Sequence, residues 1–160
     1  QLLWLVVFEV WLLYIKPGTT TGLVAIQALA AQFAGMVAIF ISFPTAHASL
    51  YVVSAAAIAY FSARHYFNAF EELHGIQYAW LWSFFAVSLT WILSHWLLFY
   101  GEIAQPALLL GIIGYGLAGL YYLHDRDKLS ALVRRQIMFV VLALVFVVIA
   151  LSNWGDGIVK

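Results

Sequence analysis

The 160-residue chain has no cysteine. Disulfides, iron–sulfur clusters and thiolate metal sites are therefore excluded. Charge is also scarce: Asp, Glu, Lys and Arg make up 9% of the residues, where a soluble domain carries about a quarter. The two signs balance to a formal net charge of +0, so nothing suggests nucleic acid as a partner. Proline is rare, and two of the three, Pro17 and Pro44, close apolar runs. Internal repeats, low-complexity linkers and composition breaks are missing as well. Residues 1–160 accordingly read as a single integral membrane domain.

What is present is apolar. Hydrophobic residues account for 66% of the chain, too much to clothe a water-facing surface, so lipid is the expected solvent. Spanning the hydrocarbon takes roughly 20 apolar residues. Six stretches qualify as candidates: residues 2–15, 22–43, 48–70, 76–100, 103–123 and 132–151. The first is short, as if cut at its start, and ends at Lys16-Pro17-Gly18. The chain opens on Gln1 rather than Met, and the expectation is a longer gene product. Residues 1–15 lack a basic n-region and a small-residue cleavage site, so they are not read as a signal peptide. Backbone groups cannot stay unpaired in lipid, and no run shows the alternation of barrel strands, so each span is expected to be a helix. The predicted fold is an all-α polytopic transmembrane bundle of about six spans.

Orientation follows from the basic residues. With six spans, the loops after the first, third and fifth share one side. That side holds Lys16, Arg64, Arg126, Lys128, Arg134 and Arg135, and the other holds only Lys160. The positive-inside rule puts the basic side in the cytoplasm and both chain ends outside. Trp4, Trp80, Trp82, Trp91, Trp96, Tyr100, Tyr121, Tyr122 and Trp154 lie mostly near span ends, as an interfacial aromatic belt does. Small residues mark expected packing faces: Ala28, Ala31, Gly35 and Ala38 on the second span, and Gly111, Gly114, Gly116, Ala118 and Gly119 on the fifth. A flat cofactor or lipid tail against that glycine face is the sharper alternative.

Ionisable residues inside a span are costly and are functional candidates by default. Glu9 lies within the first stretch and sits deep if that span begins before Gln1. The densest polar cluster is at residues 64–74, where Arg64, Asn68 and Glu71 would share one helical stripe and His65, Asn68 and Glu72 another. With His74 nearby, it reads either as a solvated helix end or as a site for protons, a lipid headgroup, a quinone or a metal. Glu71-x-x-His74 is half of a di-iron carboxylate motif, but the facing glutamates such a site needs are missing. The glutathione-binding stripe of small four-span membrane enzymes has a different spacing. The paired glutamates of membrane-embedded CAAX-type proteases are followed by an arginine that is absent here.

The five histidines fall into two layers. His47 and His95 end the second and fourth spans on the outer side. His65, His74 and His124 lie on the cytoplasmic side. Two histidines on facing helices at one depth can ligate a b-type haem, so His47/His95 and His65/His124 are the candidate pairs. This layout resembles that of cytochrome b561-type proteins, with six spans and haems held by the second to fifth. The resemblance implies transmembrane electron transfer. It concerns layout only, since no sequence motif accompanies it.

No nucleophile with a positioned base is readable. The expected function is therefore an integral membrane subunit of a larger assembly, respiratory or otherwise redox-linked, in a plasma or energy-transducing membrane. Its partners would be the lipid bilayer and other membrane subunits or further copies of itself. The alternatives are a haem b electron carrier and a small ion or solute transporter or channel.

Overall fold

The computed structural model describes residues 20–43, 45–95, 99–100 and 102–153. The expectations for the span at 2–15, for Glu9, Trp4, Trp96 and Trp154, and for Lys16 and Lys160 lie outside the described residues. Five helices follow in order: α1 (Thr21–Ser42), α2 (Ala48–Ala69), α3 (Gly75–Ser94), α4 (Gln105–Asp125) and α5 (Ala131–Leu151). Four of them, α1, α3, α4 and α5, are long and apolar enough to cross a membrane. The 22-residue α2 is equally long but carries Ser49, Ser54, Ser62, Arg64, His65 and Asn68, and it falls outside that set.

The helix bounds follow local chemistry. Ser130 caps α5, its Oγ accepting from the Val133 N–H at 3.2 Å, which satisfies one of the orphan donors of the first turn. Pro106 sits in the first turn of α4, where a missing N–H costs nothing. The apolar run at 76–100 is not one helix: α3 stops at Ser94, and Phe99–Tyr100 (β1) pairs antiparallel with Ile103–Ala104 (β2). The helix expected from residue 103, α4, thus begins at Gln105.

Successive helices run antiparallel, and contacts tie matching levels together. The Tyr66 hydroxyl of α2 donates to the Ala118 carbonyl of α4 at 2.7 Å. Gln105 Nε2 donates to Ser152 Oγ at 3.2 Å, joining the start of α4 to the end of α5. One end of the bundle therefore collects the start of α1, the α2–α3 turn and the α4–α5 turn. Every described Lys and Arg lies toward that end: Arg64, Arg126, Lys128, Arg134 and Arg135.

The most extensive contact is between α2 and α3, and small residues cause it. Ala55, Ala59 and Ala63 recur every fourth residue on α2, and Ala79, Ser83, Ala86 and Thr90 line α3; all are buried. Small side chains let two backbones close together in lipid, where packing rather than water exclusion drives association. Ser83 Oγ adds a 2.9 Å hydrogen bond to the Ala56 carbonyl across the seam. The expected stripe on α1 needs correction. Its buried residues are Ala25, Gln27, Ala28, Gln32, Met36 and Phe40, while Ala31 and Ala38 are exposed. Ala28 is buried and Gly35 lies close against Ile58, as expected of a packing face, and the large side chains of Met36 and Phe40 reach the core beside them. On α4, Gly111, Gly114 and Gly116 are buried as expected, but a Cβ at Gly119 would meet nothing.

α5 stands apart. It packs chiefly on α4, and Val148 is the one residue of the helix that is buried. A Cβ on Gly116 would collide with Val141, so glycine is what lets the two helices meet there. Beside that contact a gap of about 720 Å³ remains between α4 and α5.

Candidate functional site

The polar cluster at the basic end is assembled differently from two helical stripes. α2 ends at Ala69, and the chain closes on itself. The Glu72 N–H donates to the Phe67 carbonyl at 3.2 Å, and the Glu71 N–H to the Asn68 carbonyl at 3.2 Å. Glu71 adopts φ 52°, the left-handed geometry of a Schellman cap. The same motif ends α4. Lys128 N–H reaches the Leu123 carbonyl at 2.8 Å, Asp127 N–H reaches the His124 carbonyl at 3.0 Å, and Asp127 has φ 53°. The left-handed residue turns the chain away from the helix axis, so Glu71 and Glu72 leave the stripes of Arg64, His65 and Asn68. Glu71 and Asn68 are exposed.

Glu72 instead crosses to α4. One carboxylate oxygen, Oε2, accepts from the Tyr121 hydroxyl, and the other accepts from the His74 backbone N–H at 3.3 Å. The Tyr121 bond, and then the His74 N–H, hold its carboxyl below the ordinary glutamate range, because both donors favour the charged form. The His74 ring lies 3.8 Å from the same carboxylate. Arg64 Nη1 lies 3.8 Å from the position a Cβ on Gly75 would occupy, which places it against the start of α3. Beneath Glu72, Tyr66, Phe67 and Phe70 of α2 meet Tyr121 ring to ring, with centroids 5.2–5.9 Å apart.

This clasp closes the basic end of a slot between the helices. The slot, of about 810 Å³, runs from His124, Tyr121 and Tyr78 down to Gly114 and Ser88. Ten residues of α4 separate His124 from Gly114, a depth of ~15 Å, or about one leaflet of the hydrocarbon core. α3 and α4 touch only sparsely, and the slot opens between them. Deep in its wall, Gln32 Oε1 accepts from Trp82 Nε1 at 2.6 Å. Gln32 Nε2 faces the Leu110 carbonyl at 3.5 Å, the outer limit of a hydrogen bond. Trp82, expected in an aromatic belt, is therefore a wall residue stacked on Phe85, with centroids 5.4 Å apart. Trp80 and Trp91 are exposed, as belt residues are.

The histidines lie at the two ends. His47 is the N-cap residue of α2 and His95 the C-cap of α3, both exposed. His95 Nδ1 sits 2.7 Å from the Trp91 carbonyl. At the basic end, His65 is half-buried on α2, while His74 and His124 are exposed. Only His124 lines the slot. Among the described residues no group of three or more His, Asp or Glu side chains gathers as a metal site.

Gln32 and Tyr66 are site residues the sequence did not single out, and Trp82 and Tyr121 were expected only as belt residues. Gln32 had a signal: it is one of two glutamines in an otherwise apolar span, and polar side chains there are expensive. No family model, curated protein or solved structure matches the chain.

Proposed function

We propose that this chain is an integral membrane subunit that works inside a larger membrane assembly rather than alone. The observation that carries the reading is α5. Among the described residues it packs chiefly on α4, with the 720 Å³ gap beside the contact lined by both helices and by Phe33 of α1. Glycine faces in membrane helices are where a second helix approaches closely; on α4, Gly111 and Gly116 are already closed over by Phe33 and Val141, while Gly119 faces open space. The assembly would lie in a plasma or energy-transducing membrane, and a redox-linked complex is the first class to test.

The same proposal includes six spans, with the described loops after α2 and α4 in the cytoplasm and both chain ends outside. The collection of all described basic residues at one end supports that orientation through the positive-inside rule. Counting α2 as a span rests on its length and on its burial between α1 and α3. No observation of comparable weight favours the haem-carrier or transporter readings, since His47 and His95 are exposed caps.

Solubilisation in a mild detergent followed by light scattering tests the proposal. The 17.9 kDa chain should elute in particles heavier than one copy, with fixed companions or further copies of itself. A stable, monodisperse single copy would overturn it.

A further inference from the structure

The slot between α1, α2, α3 and α4 has the size and lining of a ligand site, independently of whether the chain has partner subunits. We propose that it binds one uncharged amphiphile whose acceptor oxygen is held by Gln32 Nε2 and whose apolar body lies along α3 and α4.

The argument begins with Gln32. A carboxamide has two N–H donors and an acceptor oxygen. Its oxygen is taken by Trp82. Among the described residues its nitrogen has one partner, the Leu110 carbonyl, at 3.5 Å, so one of its two N–H donors remains where Gln32 lines the slot. Gln32 is only 4% exposed, and in a lipid-filled slot no water replaces the missing acceptor. An oxygen on a bound molecule does. The Trp82 bond fixes the carboxamide's orientation, so the donor is presented ready-made.

Charge narrows the class. Among the described residues no Asp, Glu, Lys or Arg lines the slot, and His124 stands only at its mouth. A charged head at the depth of Gln32 would lack a counter-ion and pay the full cost of an ion in hydrocarbon. Glu72, held ionised above the mouth, repels an anionic head as well. The occupant is therefore neutral and accepts hydrogen bonds. Volume agrees, because about 810 Å³ falls in the range of small-molecule pockets. Access is lateral, through the sparse α3–α4 contact, as suits a molecule already dissolved in the bilayer. Two sources share this chemistry: a membrane quinone, through a ring carbonyl, and a neutral acylglycerol, through its ester or hydroxyl oxygens.

Native mass spectrometry of the full chain released from detergent micelles tests this with three probes: decylubiquinone, monoolein and oleate. The expected result is a single saturable adduct with decylubiquinone, with monoolein or with both, and at least tenfold weaker binding of oleate. Whichever neutral probe binds names the source. Gln32→Leu should weaken the adduct about tenfold, the worth of one hydrogen bond in a dry site. Ala118→Phe fills the slot beside Tyr121 while leaving the Gln32–Trp82 pair intact, and should abolish the adduct. If Gln32→Leu does not fold, Ala118→Phe decides alone. No adduct with either neutral probe, oleate binding as well as they do, or adducts unchanged in the folded variants would each overturn the proposal.

Discussion

Replacing Ala59 with leucine should destabilise this protein more than removing a whole phenylalanine ring two residues away. Ala59 is 1% exposed and belongs to the core cluster with Ala55 and Ala86, where α2 meets α3. A leucine side chain has no void to enter at that seam, so the helices must separate or the rotamer must strain. Overpacking of this kind costs about 1–3 kcal/mol, which is roughly a 5- to 150-fold shift in the folding equilibrium. Phe61 is 70% exposed and points away from the seam. In lipid an apolar side chain gains little by leaving one hydrocarbon surface for another, and surface substitutions stay within about 0.5 kcal/mol. Phe61→Ala should therefore be nearly silent. Unfolding in mixed micelles with increasing SDS, followed by far-UV circular dichroism, measures both variants. Near-equal stability of Ala59→Leu and the natural protein would refute the packing argument, as would a Phe61→Ala loss of the same size.

Two further outcomes follow from the basic end. Because Glu72 is held below the ordinary carboxylate range when folded, its bond to Tyr121 contributes fully above that ordinary range and is lost as pH falls through the depressed value. Thermal unfolding across pH should show the natural protein losing its advantage over Tyr121→Phe in acid; a gap independent of pH would contradict the assignment. At the second Schellman cap, Asp127 holds φ 53°, a conformation that costs a non-glycine residue about 1 kcal/mol. Asp127→Gly should raise the SDS midpoint slightly, and a clear drop would show that its carboxylate has an undetected structural role.

The helices were legible where chemistry punctuates the chain. α1 and α5 begin within one residue of expectation, and Ser130 stands where a cap is needed. The run at 76–100 misled because apolarity continues past the point where the helix stops, and hydropathy alone does not separate helix from the short β1–β2 pairing. The stripes through Glu71 and Glu72 failed for another reason. Helical spacing was extended past Ala69, while a non-glycine residue turns left-handed two positions later, and glutamate does not announce that turn. The α1 packing face was half legible from its small residues: Ala28 and Gly35 pack, Ala31 and Ala38 are exposed, and Met36 and Phe40 fill the core beside them. The slot was out of reach: Gln32 and Trp82 are 50 positions apart, and nothing local in either segment marks their pairing.

The proposed orientation puts the Glu72–Tyr121 end of the helical bundle in the cytoplasm. The natural absence of cysteine allows single-cysteine variants to be labelled without background. Leu73→Cys lies in the exposed α2–α3 turn, and Ser49→Cys lies in the exposed first turn of α2 at the opposite end. Treating intact cells with a membrane-impermeant maleimide should label Ser49→Cys, and should leave Leu73→Cys unlabelled until the membrane is opened. Labelling of both positions from the same side, or the reverse pattern, would contradict it.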